Sequence, residues 1–268
     1  MSIRTNSAAF FDLDKTIIAK SSVLAFGRPF YREGLLSRRT IVKSLYAQVV
    51  FMLVGADEEK MEKLRVAMSA MTRGWNRDHV ASIVRETLTD VIEPIIYAEA
   101  LELFDEHHAA GRKVVIVSSA PTEVVEPLGE FLGADEAVGT RAAVDAEGNY
   151  TGDLEFYAYG GHKAQAVRQL AARQHINLPM SYAYSDSITD LPMLELVGHP
   201  VVVNGDKELE RVARERDWEI RNFERPVRLR DRMPVPPAGP TLAVGSALAA
   251  AGAGVAVWWW LRHRNHAA

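Results

Sequence analysis

The residues best able to do chemistry are two aspartates two positions apart, Asp12 and Asp14, in the stretch "AAFFDLDKTIIAK" spanning residues 8 to 20. Side chains of an extended chain alternate in direction, so this spacing sets two carboxylates side by side where an apolar strand ends. Like charges that close are unfavourable unless a cation or a hydrogen-bond donor compensates them. A hard divalent ion suits the pair, because Mg²⁺ takes one or two carboxylates and keeps water or phosphate oxygens in its other positions. In isolation such a pair is more often a turn cap beside a solvated acid.

Three further stretches change that balance. "VVIVSSA" closes an apolar run with Ser118 and Ser119, "GHKA" sets Lys163 at a helix start, and "YSDSITDLPML" puts Asp186 and Asp190 just past another short strand. Singly, these read as a helix-capping serine, a surface lysine and turn aspartates. Those ordinary readings do not explain why an acid pair, a hydroxyl, a lysine and a second acid pair all fall at strand ends on one edge of one sheet.

The elements that must position them follow from hydrophobic pattern. Apolar runs near residue 10, from Lys113, from Ser181 and from His199 read as buried parallel strands. Helical patterns such as "PTEVVEPLGEFLG" and "GHKAQAVRQLAARQ" lie between most of them, so the expected fold class is α/β, with a Rossmann-like parallel sheet. Residues 137 to 159, around the turn "AEGN", read as a hairpin-like excursion. About ninety residues separate the first two strands, far more than a crossover needs, and they carry helical periodicity. They are expected to form a helical cap, inserted after the first strand, over the carboxyl edge where open α/β sheets bind ligands.

The expected division is a core from residues 1–19 and 106–224, a cap from 20–105, a Pro/Arg-rich linker over 225–240 and a transmembrane helix over 241–261. The stretch from Thr241 to Leu261 carries no charge. At ~1.5 Å per residue its length matches a hydrocarbon layer of ~30 Å. Trp258, Trp259 and Trp260, followed by Arg262 and Arg264, resemble an aromatic belt with a polar anchor. Arg225, Arg228, Arg230 and Arg232 weight the other flank, which predicts a single-pass protein of the cell membrane with its main domain in the cytoplasm.

Composition removes several classes. A net charge of −4 without a long basic run argues against a nucleic-acid partner. The absence of cysteine removes disulfides, thiolate metal sites and a cysteine nucleophile. The apolar run at the N-terminus is broken by Asp12 and Asp14, unlike a signal peptide, which agrees with a cytoplasmic domain.

The motifs "FFDLDKT", "VVIVSSA", "GHKA" and "YSDSITDLPML", in that order, resemble the haloacid dehalogenase superfamily of phosphohydrolases. The helical insertion after the first motif resembles its phosphoserine-phosphatase-like branch, subfamily IB, and the likeness covers residues 8 to about 205. That resemblance implies a Mg²⁺-dependent phosphomonoester hydrolase acting on a small phosphorylated substrate. It implies Asp12 as the nucleophile that becomes an aspartyl-phosphate, and Asp14 as general acid and then base. The metal would be held by the Asp12 and Asp186 carboxylates and the backbone carbonyl of Asp14, with Asp190 in support. Ser118 would hydrogen-bond the phosphoryl group, Lys163 would balance its charge, and Thr16 would fix the loop after Asp14. "DKT" also surrounds the phosphorylated aspartate of P-type ion pumps, which would move the chemistry to Asp14. Ile17 and Ile18 stand where the pumps have Gly-Thr, and a single span cannot build a pump.

Substrate is less legible. Phosphoserine phosphatases carry an acid shortly after the aspartate motif to meet the substrate amine, whereas Lys20, Ser21 and Ser22 occupy that neighbourhood here. A lysine repels an amine and attracts an anion, so phosphoserine is expected to be a poor substrate. "TIVKSLYAQVVFMLVG" is apolar nearly all round, as a cap core or a lipid-facing surface would be, and with the C-terminal span it makes a lipid phosphate a second expected substrate class. A reading from another class is a membrane-tethered regulatory protein that binds phosphate without turning it over. His107 and His108, late in a helix, and Arg141, in a strand-like piece, are left outside the site.

Overall fold

The computed structural model describes residues 6–37, 66 and 69–224. Seven strands are present among them: β1 (Ala8–Phe11), β2 (Lys113–Pro121), β3 (Glu136–Val144), β4 (Tyr150–Phe156), β5 (Tyr182–Ser185), β6 (His199–Val203) and β7 (Glu219–Arg221). They form one sheet in the order β4-β3-β2-β1-β5-β6-β7, parallel throughout except for the antiparallel β3–β4 pair. All four residues of β1 are buried, and Phe10 lies in register with Val115 on one side and Ala183 on the other. Strands covered on both faces require continuous apolar runs, which is why "AAFF" and "VVIV" sit at the centre.

The helices are α1 (Ser22–Ala25), α2 (Gly27–Arg32), α3 (Arg77–Ile92), α4 (Ala98–Ala109), α5 (Thr122–Leu132), α6 (Gly161–Gln174), α7 (Leu191–Leu194) and α8 (Lys207–Glu215). Their ends follow local chemistry. The Asn76 side chain accepts the N–H groups of Asp78 and His79 at the start of α3, and Gly133, at φ +80°, closes α5 in the left-handed conformation. Gly139 permits a close approach: a Cβ there would lie 2.8 Å from the backbone of Thr122, so β3 can press against the turn that follows Ser118 and Ser119.

The four apolar runs read as strands are β1, β2, β5 and β6. The expected excursion at 137–159 is a hairpin, but its first arm also joins the main sheet, parallel to β2, with Val117 opposite Val138. The long helical pattern before β2 is two helices rather than one. A 3₁₀ turn at Glu93–Ile95 separates α3 from α4, because Pro94 has no N–H to continue the ladder. A cap boundary at residue 105 falls inside α4, whose Phe104 ring packs 4.8 Å from Phe11 of the core. The chain has already returned by Ile96, which bridges to Ile18, and Tyr97 N–H donates to Ile17 O at 2.9 Å. At its far side the inserted segment pairs with the hairpin: Gly74 N–H donates to Tyr150 O at 2.8 Å and Tyr150 N–H to Trp75 O at 2.9 Å. The apolar stretch at 40–55 and the charge-free stretch at 241–261 lie outside the described residues. Among the described residues, no helix is long and apolar enough to cross a membrane.

Beneath β1 the core holds a polar network. Phe11 stacks flat on Tyr184, with ring centroids 4.3 Å apart, and His107 of α4 meets the Tyr184 hydroxyl through Nε2 at 2.8 Å. Arg112 Nε donates to His107 Nδ1 at 2.7 Å, so Nδ1 must be an acceptor and Nε2 must carry the ring proton. Burial lowers the His107 pKa from 6.5 to about 4, and Arg112 pushes the same way. The folded state therefore keeps this ring neutral while the unfolded chain binds a proton below pH 6.5. Its contribution is complete above pH 6.5 and is lost as the pH falls toward 4, at up to ~1.4 kcal/mol per pH unit. Urea unfolding of the wild type and of His107→Gln across this window is expected to show a steeper acid loss in the wild type; parallel curves would refute the buried neutral imidazole.

Candidate active site

The site is assembled at the carboxyl ends of the three central strands, where the order turns at β1 with β2 on one side and β5 on the other. Asp12 follows β1 directly and is held in line by its N–H, which donates to Tyr184 O at 2.9 Å. The chain then turns sharply. Ile17 N–H and Ile18 N–H both donate to Leu13 O, Lys15 N–H donates to Ile18 O at 2.6 Å, and Lys15 adopts φ +64°. This turn keeps Asp14 at the site, half-buried, with one carboxylate oxygen accepting the N–H of Ser22 at 2.9 Å.

Lys163 comes from the first turn of α6. Its ammonium donates to Asp12 Oδ1 at 2.5 Å and to Asp190 Oδ2 at 2.7 Å. An ammonium has three donors, so one stays available for an incoming anion. Asp190, in the turn after β5, also accepts the Ser185 hydroxyl at 2.7 Å. Ser118, inside β2, accepts the Ala120 N–H at 3.1 Å, which leaves its own O–H free to donate. Asp12, Ser118, Lys163, Asp186 and Asp190 are each at most 8 % exposed. Thr16 is wholly buried, and its hydroxyl finds no hydrogen-bond partner among the described residues; the loop after Asp14 is held by its own backbone.

The electrostatics are lopsided. Burial, together with the charges of Asp190 and Asp186, pushes the Asp12 carboxyl up from its ordinary value, although Lys163 pulls the other way. Burial raises Asp186 to about 6, partly offset by Lys15, whose ammonium stands 3.7 Å away and is mostly in solvent. Burial also raises Asp14, against the pull of the Ser22 N–H. For Lys163, burial opposes the charge, but Asp12 and Asp190 outweigh it and hold the ammonium protonated. One buried cation is thus shared among more carboxylates than it can neutralise. Among the described residues, no three His, Cys, Asp or Glu side chains are grouped to cage a metal. Carboxylate oxygens such as those of Asp12 and Asp186 are hard donors of the kind that could serve a divalent ion of the Mg²⁺ type whose shell water and substrate complete.

The residues read from the sequence, Asp12, Asp14, Ser118, Lys163, Asp186, Asp190 and Thr16, all lie around this strand edge, with Asp12, Lys163 and Asp190 in direct contact. His108 is elsewhere, paired with Asp135 at 3.0 Å, and Arg141 lies near Glu155 at 4.0 Å. Three contributors were not legible. Ser22 acts through its backbone N–H, which no side-chain pattern announces. Ser185 reads only as a strand residue. Asp206 caps α8, yet its Oδ2 also accepts the Ile188 N–H at 2.8 Å and its own N–H donates to Asp186 O at 2.7 Å, which pins the Asp186 loop.

The family model for haloacid dehalogenase-like hydrolases matches residues 9–195. The chain is 53% identical over 98% of its length to the inhibition of morphological differentiation protein of Streptomyces azureus, covering 96% of that protein. It is 52% identical to a probable phosphatase of Mycobacterium tuberculosis, over 93% of this chain and 88% of that one. It is also 37% identical to a phosphoserine phosphatase of the same organism, over 92% of this chain and 80% of that one. A solved structure of a Bordetella pertussis protein of unknown function superposes with a TM-score of 0.71 at 25% identity, covering 81% of this chain and 98% of that one.

Removing the shared cation tests the geometry. Lys163→Met leaves Asp12 and Asp190 buried without their partner, a kind of change that destabilises by ~3–5 kcal/mol. Adding Asp12→Asn to that variant is expected to restore part of the loss, with a coupling of at least ~1 kcal/mol in a double-mutant cycle read by urea unfolding. Additivity within ~0.5 kcal/mol would mean the two side chains do not interact.

Proposed function

The chain belongs to the haloacid dehalogenase-like hydrolases and is a phosphatase, and from that premise we propose that it hydrolyses phosphomonoesters through a phosphoryl group carried on Asp12, with Mg²⁺ as cofactor. The observation that carries this reading is Lys163 donating to both Asp12 and Asp190, all three buried at the strand edge. Asp12 spends one oxygen on Lys163 and keeps the other for attack at phosphorus; the ester P–O bond breaks as the Asp12–phosphorus bond forms. Asp14, whose carboxyl burial keeps protonatable, gives its proton to the departing oxygen. It then takes a proton from the water that attacks phosphorus, which frees inorganic phosphate and restores Asp12. The Ser118 hydroxyl and the third Lys163 donor hold phosphoryl oxygens, so much of the barrier is lowered by positioning and charge. Asp12, Asp186 and the Asp14 carbonyl would hold Mg²⁺, which would supply the positive charge that the lysine alone does not.

The substrate reading rests on chemistry beside Asp14. Lys20 is exposed there and Ser21 and Ser22 offer no carboxylate, which favours an anionic leaving group over an amine-bearing one. The charge-free stretch over 241–261 supports a membrane anchor with the catalytic domain in the cytoplasm, and with it a lipid phosphate as a second substrate class. Deleting residues 241–261 and comparing lipid with soluble phosphates tests them; an unchanged preference would count against the lipid substrate.

p-Nitrophenyl phosphate provides the direct assay. Turnover is expected to require Mg²⁺, to stop on chelation and to fall at least ~10³-fold in Asp12→Asn. Metal-independent turnover, or a fully active Asp12→Asn, would contradict the mechanism. Phosphoserine is expected to give a kcat/KM below ~10⁴ M⁻¹s⁻¹, the low end for good substrates.

A further inference from the structure

We propose that Ser185 is a positioning residue whose single hydroxyl ties the Lys163 clamp to the loop that presents Asp186; this rests on the phosphatase reading of the same site. Ser185 is the last residue of β5 and has no exposed surface. Its hydroxyl donates to Asp190 Oδ2 at 2.7 Å and accepts the Ser187 N–H at 3.3 Å. That same Asp190 oxygen accepts Lys163 Nζ at 2.7 Å, and Asp190 N–H returns to Ser187 O at 3.0 Å. The hydroxyl therefore sits at a junction: its donor side faces the carboxylate that holds the lysine, and its acceptor side faces the residue next to Asp186.

The electrostatic consequence is specific. Asp12 and Asp190 compete for one buried ammonium, and a carboxylate that receives a second hydrogen bond carries less unshared charge. By donating to Asp190, Ser185 weakens that competitor and leaves more of the Lys163 charge for Asp12 and the phosphoryl group. Without the hydroxyl, Asp190 draws the ammonium toward itself, while Ser187 N–H loses its acceptor and the Asp186 turn loosens. Both shifts misplace groups that must converge on phosphorus, and a displacement of ~1 Å at such a site costs up to ~10²-fold in rate. Ground-state substrate binding needs only the Lys163 ammonium and the Ser118 donor, both of which stay in place.

The test is a set of variants at one position. Ser185→Ala removes only the hydroxyl, Ser185→Thr keeps it, and Ser185→Cys keeps the size with a weak donor. With p-nitrophenyl phosphate and Mg²⁺, Ser185→Ala is expected to lower kcat about 10- to 100-fold with KM within about threefold and the thermal midpoint within a few degrees. Ser185→Thr is expected to recover most of the rate and Ser185→Cys little of it. Affinity for beryllofluoride, which mimics a phosphoryl group on a carboxylate, should fall in Ser185→Ala and return in Ser185→Thr. A Ser185→Ala enzyme with kcat within twofold of wild type overturns the inference while leaving Asp12-dependent hydrolysis intact. So does a loss in which kcat, KM and midpoint move together and threonine does no better than alanine, because that is packing. A fully active Asp12→Asn overturns the underlying reading, and the inference with it.

Discussion

One ammonium between two buried carboxylates organises this molecule. Lys163 must be brought to Asp12 and Asp190 from three separate parts of the chain, and each arrives on a different element: the end of β1, the first turn of α6 and the turn after β5. Burying any of these charges alone would cost several kcal/mol, so the three are tolerated inside only together. The fold provides the meeting point. Strand order changes direction at β1, and the crevice outside the carboxyl ends of β2, β1 and β5 is where such a sheet leaves room for a ligand.

The cluster is not neutral, and its chemistry follows from that. Asp12 and Asp186 are pushed upward by burial and by their acidic neighbours, whereas Asp14, further from the lysine, is raised by burial and stabilised through one backbone N–H. Carboxyls whose surroundings differ can take different parts, one attacking and one passing a proton. The missing positive charge is what a divalent cation would supply, the more so once a phosphate-bearing substrate adds its own negative charge. The left-handed Lys15 and the tight turn around Leu13 O keep Asp12 and Asp14 at the same mouth without a further strand residue between them and the insertion.

The core strands and most of the site were legible because burial writes itself as uninterrupted apolar runs: "AAFF" and "VVIV" each end at a polar residue of the site, Asp12 and Ser118. What was not legible depends on distance in space. The β-rich pattern of 136–156 marks two strands, but nothing in it says that β3 also lies parallel to β2. β7 is three residues long, too short for any period to register. The helical pattern over 98–109 is the same whether its apolar stripe meets a cap or a sheet, so it takes the contacts of Phe104 with Phe11 and of His107 with Tyr184 to assign α4 to the core. Asp206 acts by hydrogen bonds to a loop that the chain reaches only after folding, Ser185 acts on the turn that directly follows it, which no side-chain pattern announces, and Ser22 acts by its backbone.

The central claim is that Asp12, and not its neighbour two residues on, carries the phosphoryl group. Acid-quenching the enzyme during turnover, reducing any acyl phosphate with borohydride and mapping the peptide by mass spectrometry reads this directly. The account predicts conversion of residue 12 to homoserine, dependent on substrate and absent in Lys163→Met. Conversion at Asp14, or none during steady turnover, would contradict it.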